Sequence, residues 1–177
     1  KGKELKGKTL GVIGFGRIGQ ETAKIALGIG MNVMFCDKFV DETTIELDLA
    51  FDKKINFNLK SSEMSDLLKE SDYISLHVPA QKNYVLGKKE FDLMKTGCGL
   101  INAARGGVID EASLIESLDS GKLAFAGIDT FENEPTPSIK LLMHPKISLT
   151  PHIGAATTEA QDRIGIELAN QIISLVK

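Results

Sequence analysis

Short apolar runs that alternate with segments of helical period predict an α/β fold: a doubly wound parallel sheet with helices on both faces. A glycine cluster closing the first run and an acid closing the second point the same way. After a lysine-rich lead, residues 9–15 form an apolar, β-type run, and residues 17–27 carry a helical pattern that Gly28 and Gly30 end. Residues 32–36 are the second strand. Residues 62–69 read as a serine-capped helix, 73–78 as a strand, 88–94 as a short helix and 99–104 as a strand. Residues 110–118 form a helix with an acidic start, ended by Gly121, and 123–128 and 146–150 are the last strands. Residues 38–60 are expected to hold a short helix and a weak strand near 55–57. The segment 157–177 is a helix with a wide apolar stripe, Ala160, Ile164, Leu168, Ile172 and Val176 at spacing four. That helix reaches the last residue without a cap, so the chain reads as one domain, 1–177, cut from a longer polypeptide.

Composition narrows the function. With 177 residues, 42% of them hydrophobic, the chain can bury a sizeable core. A net charge of -3 with interspersed lysines and acids offers no basic stripe for a phosphate backbone, so nucleic acid is not the expected partner. No apolar run reaches membrane-spanning length and no signal-peptide pattern opens the chain, which makes the cytoplasm the expected location and a membrane an unexpected partner. Cys36 and Cys98 stand far apart, with no CxxC and no clustered histidines, so they read as small buried hydrophobes and no metal is expected.

The glycine cluster is Gly14-Phe15-Gly16-Arg17-Ile18-Gly19, a GxGxxG that follows a strand, opens a helix and precedes Asp37 at the next strand end. That context is the dinucleotide-binding fingerprint of a Rossmann-type sheet. Gly14 makes the tight turn, Gly16 lets a pyrophosphate approach the backbone, and Gly19 lets helix and sheet pack closely, while the helix N-terminus supplies unpaired N–H groups. Asp37 accepts from a ribose hydroxyl and repels a 2′-phosphate, which favours NAD over NADP. Neighbouring Lys38 softens that discrimination.

Three further strand ends carry reactive groups. Arg105 follows the run 99–104 and precedes two glycines, and its guanidinium suits a substrate carboxylate. Asp129 and Glu134 follow the run 123–128, and His152 follows the last strand in Thr150-Pro-His-Ile-Gly. If hydride reaches a carbonyl carbon, the oxygen needs a cation and a proton, so Arg105 polarises and His152 protonates. Glu134 beside the imidazole fixes the ring and favours its charged form. His77, in Leu76-His-Val-Pro, is the second candidate donor or a satisfied residue near the cofactor loop, and His144 reads as structural.

Several stretches in order resemble the D-isomer-specific 2-hydroxyacid dehydrogenase family. They are Glu4-Leu-Lys-Gly-Lys-Thr-Leu-Gly-Val-Ile-Gly-Phe-Gly-Arg-Ile-Gly, Leu76-His-Val-Pro, Ile101-Asn-Ala-Ala-Arg-Gly-Gly-Val-Ile-Asp, Gly127-Ile-Asp-Thr-Phe-Glu-Asn-Glu-Pro and Thr150-Pro-His-Ile-Gly-Ala. The resemblance implies Arg105, Glu134 and His152 at the catalytic positions and Asp129 near the nicotinamide. It also implies cofactor contacts from Gly14, Gly16, Arg17, Ile18, Gly19, Asp37, His77, Val78, Pro79, Ala103, Ala104, Arg105, Asp129, His152 and Gly154. Its implied cofactor is NAD, its substrate a small 2-hydroxy or 2-keto acid, and its partner a second copy through this domain. Family members also carry a substrate-binding domain, absent here, so the isolated chain is expected to bind NAD with little or no turnover. Residues 155–165 are most similar to the branch acting on a phosphorylated 2-hydroxy acid. Glyoxylate and hydroxypyruvate reductases and NADH-dependent corepressors share the same positions.

Overall fold

The computed structural model describes residues 2–176. Six strands form one all-parallel sheet: β1 (Thr9–Ile13), β2 (Asn32–Cys36), β5 (Tyr73–Leu76), β6 (Cys98–Asn102), β7 (Leu123–Ile128) and β8 (Ile147–Leu149), in the order β2-β1-β5-β6-β7-β8. The register runs Leu10 opposite Val33 on one side and Tyr73 on the other. Strand order reverses between β1 and β5, and that switch point is where an open α/β sheet leaves a crevice at its carboxyl edge.

Helix α1 (Arg17–Gly28) covers one face, seating Ala23 and Ala26 in a cluster with Leu10, Val12, Phe15 and Phe35. Phe15, inside the glycine loop, stacks on Phe35 with ring centroids 3.9 Å apart. Burying two such rings contributes about 1.5–3 kcal/mol each and anchors the loop to β2. Helices α2 (Met64–Glu70), α3 (Lys88–Leu93) and α4 (Glu111–Asp119) cover the other face, over a core that includes Leu67, Ile74, Phe91, Leu100, Leu114 and Leu123. Asp110 caps α4 by accepting from the Ala112 and Ser113 N–H groups. Gly121 ends it with φ +78°. Burial pushes the Cys98 thiol up to about 12, and Cys98 is the buried packing group expected; Cys36, its thiol also raised by burial, is only half-buried and lines the switch-point cavity.

Two expectations are corrected. The segment 38–60 holds no helix. It forms an antiparallel hairpin, β3 (Glu42–Leu49) and β4 (Lys53–Lys60), because Ile45 and Leu47 alternate with Glu46 and Asp48 at period two and bury against the α1 face. The serine cap of α2 is absent: Glu63 is the N-cap, with no side-chain bond. The helix α6 (Thr158–Val176) forms where it is expected; none of its residues is buried, and its stripe lies open to solvent. Sequence reading also missed the one-turn helix α5 (Ile139–Leu142), which is shorter than an amphipathic period can reveal.

The hairpin turn places Phe51 and Asp52 at φ +63° and +55°, the left-handed region that a bulky residue enters at a cost. Phe51 is 93% exposed, so its ring offers no burial in return. Replacing Phe51-Asp52 by Asn-Gly is expected to stabilise the chain by about 1–2 kcal/mol in urea denaturation. An unchanged midpoint would show that the turn relaxes freely.

Candidate active site

The glycine loop bends where the fingerprint requires it. Gly14 has φ +90°, and a Cβ there would fall 2.6 Å from the His77 carbonyl oxygen. Gly19 packs so closely on the loop that its Cβ would meet the Gly14 oxygen at 2.2 Å. Gly16, by contrast, has open space where a side chain would stand, directly before the uncapped N-terminus of α1. Unpaired N–H groups and free volume at one point fit a pyrophosphate.

Asp37 does more than terminate β2. Its Oδ2 accepts from the Phe15 N–H at 2.6 Å and its Oδ1 from the Phe39 and Val40 N–H groups at 2.7 and 3.2 Å. The carboxylate therefore ties the glycine loop to the turn after β2, and Asp37 lines the crevice. Gly14, Gly16, Asp37, His77, Val78 and Pro79 share the lining of one cavity of about 780 Å³ at the switch point. Arg17 and Ile18 stand outside that lining, and Arg17 pairs with Glu167 of α6 at 3.1 Å.

His77 belongs with this cavity and not with the acids. Its Nε2 lies 2.9 Å from the Ser75 hydroxyl, and burial holds its pKa below the usual imidazole range. His144 is structural as expected, held between Asp119 and the Lys146 N–H.

The remaining site residues come from β6, β7 and β8. Asn102, 3% exposed, shapes the turn after β6 by accepting from the Ala104 N–H and donating to the Arg105 carbonyl. The Arg105 guanidinium donates to the Ala104 carbonyl at 2.6 Å. Beside it, a Cβ on Gly106 would fall 1.8 Å from the Phe131 carbonyl oxygen, so the loops after β6 and β7 interlock.

Asp129 organises the turn that carries His152. Its Oδ1 accepts from the Thr150 hydroxyl at 2.5 Å and the Ile153 N–H at 2.8 Å, and its Oδ2 from the Gly154 N–H at 2.8 Å. Ala103 packs against Gly154 from the β6 side. This support matters because His152 sits at φ +56°, a strained conformation that needs its surroundings to hold it. His152 Nδ1 meets Glu134 Oε2 at 2.9 Å, and the Phe131 N–H donates to Glu134 Oε1 at 3.0 Å. The Phe131 and His152 bonds hold the Glu134 carboxyl below its usual range, so it is ionised and aligned. Nε2 is the imidazole nitrogen left for other partners.

Sequence reading missed Asn102, Thr150 and the Phe131 amide. A buried polar residue closing an apolar strand was the available signal for Asn102; a backbone amide leaves none.

For Asp129, burial opposes ionisation most, but the bonds from Thr150, Ile153 and Gly154 outweigh it and the carboxyl lies below its ordinary value. A depressed folded-state pKa contributes stability above the unfolded value, and that contribution is lost as pH falls through the folded one. Asp129→Asn, which opposes a donor to those N–H groups, is expected to cost about 1–3 kcal/mol at pH 7. Urea denaturation should show the gap closing below about pH 4; a gap independent of pH would refute the role of the charge.

The chain matches, over residues 1–154, the model of the D-isomer specific 2-hydroxyacid dehydrogenase NAD binding domain. It is 46% identical over 177 residues to a hydroxypyruvate reductase of Thermotoga maritima, covering 97% of this chain and 54% of that one. It is 41% identical to a D-3-phosphoglycerate dehydrogenase of Archaeoglobus fulgidus, covering 99% of this chain and 32% of that one. Among solved structures, a glyoxylate reductase from Paecilomyes thermophila superposes with a TM-score of 0.84 at 35% identity, over 99% of this chain and 51% of that one. The chain thus spans about half the length of some of these relatives and a third of others. A fingerprint loop that fits a pyrophosphate, a sheet that opens at the matching switch point and a family match over most of the sequence converge: the chain belongs to the D-isomer specific 2-hydroxyacid dehydrogenase family and is its NAD-binding domain.

Proposed function

We propose that this domain serves an enzyme that interconverts a D-2-hydroxy acid and its 2-keto acid, with His152 as the acid and base. The observation that carries the reading is the Glu134–His152 bond, 2.9 Å long, on the sheet edge where the glycine loop also opens. Gly14, Gly16, Asp37 and the α1 N-terminus would hold NAD, which supplies the hydride acceptor or donor when bound. Glu134 fixes the orientation of the imidazole, His152 Nε2 exchanges the proton with the substrate oxygen, and Arg105 engages the substrate carboxylate. The preferred substrate pair is 3-phosphoglycerate and 3-phosphohydroxypyruvate, supported by residues 155–165 and by relatives named D-3-phosphoglycerate dehydrogenase. The second reading, hydroxypyruvate or glyoxylate reduction, is favoured by the Thermotoga relative. Pairing with a second copy of the chain belongs to the same proposal.

Calorimetric titration of the 177-residue chain with NADH, NAD and NADPH, beside assays with 3-phosphohydroxypyruvate, hydroxypyruvate and glyoxylate, tests the reading. NADH binding with little turnover is expected, because water exclusion needs a closed cleft. Absence of NADH binding would refute it.

In a catalytically complete polypeptide carrying this chain, His152→Asn should lower kcat by on the order of a hundredfold or more and leave NADH affinity nearly intact. Unchanged turnover would remove His152 from the chemistry. Asp37→Ser should narrow the preference for NADH over NADPH, and the loss of its amide bonds should also weaken NADH binding about tenfold. An unaltered ratio would assign selectivity to Lys38.

A further inference from the structure

We infer that Glu111 and Glu132 form a clasp that positions the Glu134–His152 pair, with each carboxylate accepting the other residue's backbone N–H. The inference rests on the proposed role of that pair and adds two positioning residues to it. Glu111 opens α4, and its N–H donates to Glu132 Oε1 at 3.0 Å; the Glu132 N–H donates to Glu111 Oε1 at 2.8 Å. Both limbs join the start of α4 to the loop after β7, two segments far apart in sequence.

Glu111 is 9% exposed. A carboxylate so placed carries a desolvation cost that only specific bonds offset. Burial and the neighbouring Glu132 charge raise its pKa, while the Glu132 N–H lowers it. Two acids side by side are a poor choice for simple packing, where an apolar pair would cost less. They are a good choice where two backbone donors must be fixed together. One donor is an unpaired amide in the first turn of α4, where an acceptor with negative charge is favoured.

What the clasp holds is the turn that presents Glu134. The Phe131 N–H, one residue before the clasped amide of Glu132, donates to Glu134 Oε1, and Glu134 Oε2 meets His152. The Phe131 carbonyl and the Glu132 N–H share one planar peptide unit, so holding that unit leaves only the φ and ψ of Phe131 between it and the N–H that donates to Glu134. From the opposite side, Gly106 lies against the Phe131 carbonyl with no room for a Cβ. The turn is pinned between Glu111 and Gly106.

The test is NMR on the labelled 177-residue chain. Hydrogen exchange of the Glu132 amide reports the clasp, and the pH titration of the Phe131 amide shift reports ionisation of Glu134. Glu111→Ala is expected to speed Glu132 exchange at least about tenfold. It should also move the Phe131 midpoint up toward the ordinary carboxylate value. Glu111→Gln, whose amide oxygen still accepts, should keep both near the parent. Faster Glu132 exchange with an unmoved Phe131 midpoint would overturn the proposal and leave a purely structural contact. If Glu111→Ala fails to fold, Glu132→Ala removes one limb at a half-buried loop position, and the same shift or its absence decides. Glu134→Gln serves as the control: a Phe131 titration that survives it would show that Glu134 is not the acceptor and would overturn the positioning role of the clasp, whereas the functional reading fails separately, if the parent chain does not bind NADH.

Discussion

Six parallel strands bring their carboxyl ends to one edge, and each must there reverse into a loop or helix with backbone N–H groups no longer paired in the sheet. Those donors need acceptors. In this chain side-chain carboxylates supply many of them: Asp37 binds the amides of Phe15, Phe39 and Val40, Asp129 those of Ile153 and Gly154, and Glu134 that of Phe131. The arrangement of the site follows from this pairing of acids with loop amides.

Magnitudes separate these bonds from the visible ion pairs. A hydrogen bond to a charged group contributes about 1.5–3 kcal/mol, whereas an exposed ion pair contributes about 0–1 kcal/mol. Arg17–Glu167 and Lys54–Glu46 are exposed pairs and add little. The carboxylate–amide bonds are charge-assisted and most are partly buried, and those from Asp37 to Phe15 and from Asp129 to Ile153 and Gly154 join segments 22 to 25 residues apart. They also leave lone pairs over. Asp37 can hold the glycine loop and still accept from a ribose, and Glu134 can take the Phe131 amide on one oxygen and His152 on the other.

The switch-point cavity and the Glu134–His152 pair lie at the same edge but are built differently. The cavity is lined by Gly14 and Gly16 of the loop and by side-chain-bearing residues that include Asp37, Met64, His77 and Val78, with open space at Gly16. The pair depends on a strained His152 whose turn is held by a buried acid and closed by Gly154. Such strain persists only where the surrounding bonds over-determine it, which makes Asp129 and Thr150 as necessary to the geometry as the histidine.

Local periodicity and turn chemistry made most of this legible in sequence. The parallel sheet, the GxGxxG loop, Asp37 at the second strand end and the strand-end positions of Arg105, Glu134 and His152 all follow from patterns within a few residues. The segment 38–60 misled in its first half, where a short helix is expected in place of β3, while the weak strand expected near 55–57 falls within β4; the hairpin becomes decisive only when Ile45 and Leu47 find the face of α1. Tertiary structure alone decided which amide each acid accepts. It alone made Asp129 the support of the His152 turn, paired Glu111 with Glu132, and left the apolar stripe of α6 exposed. The physical reason is range: propensity and spacing act between near neighbours, whereas hydrogen bonds joining residues 18 to 25 apart exist only after the sheet has brought the strand ends together.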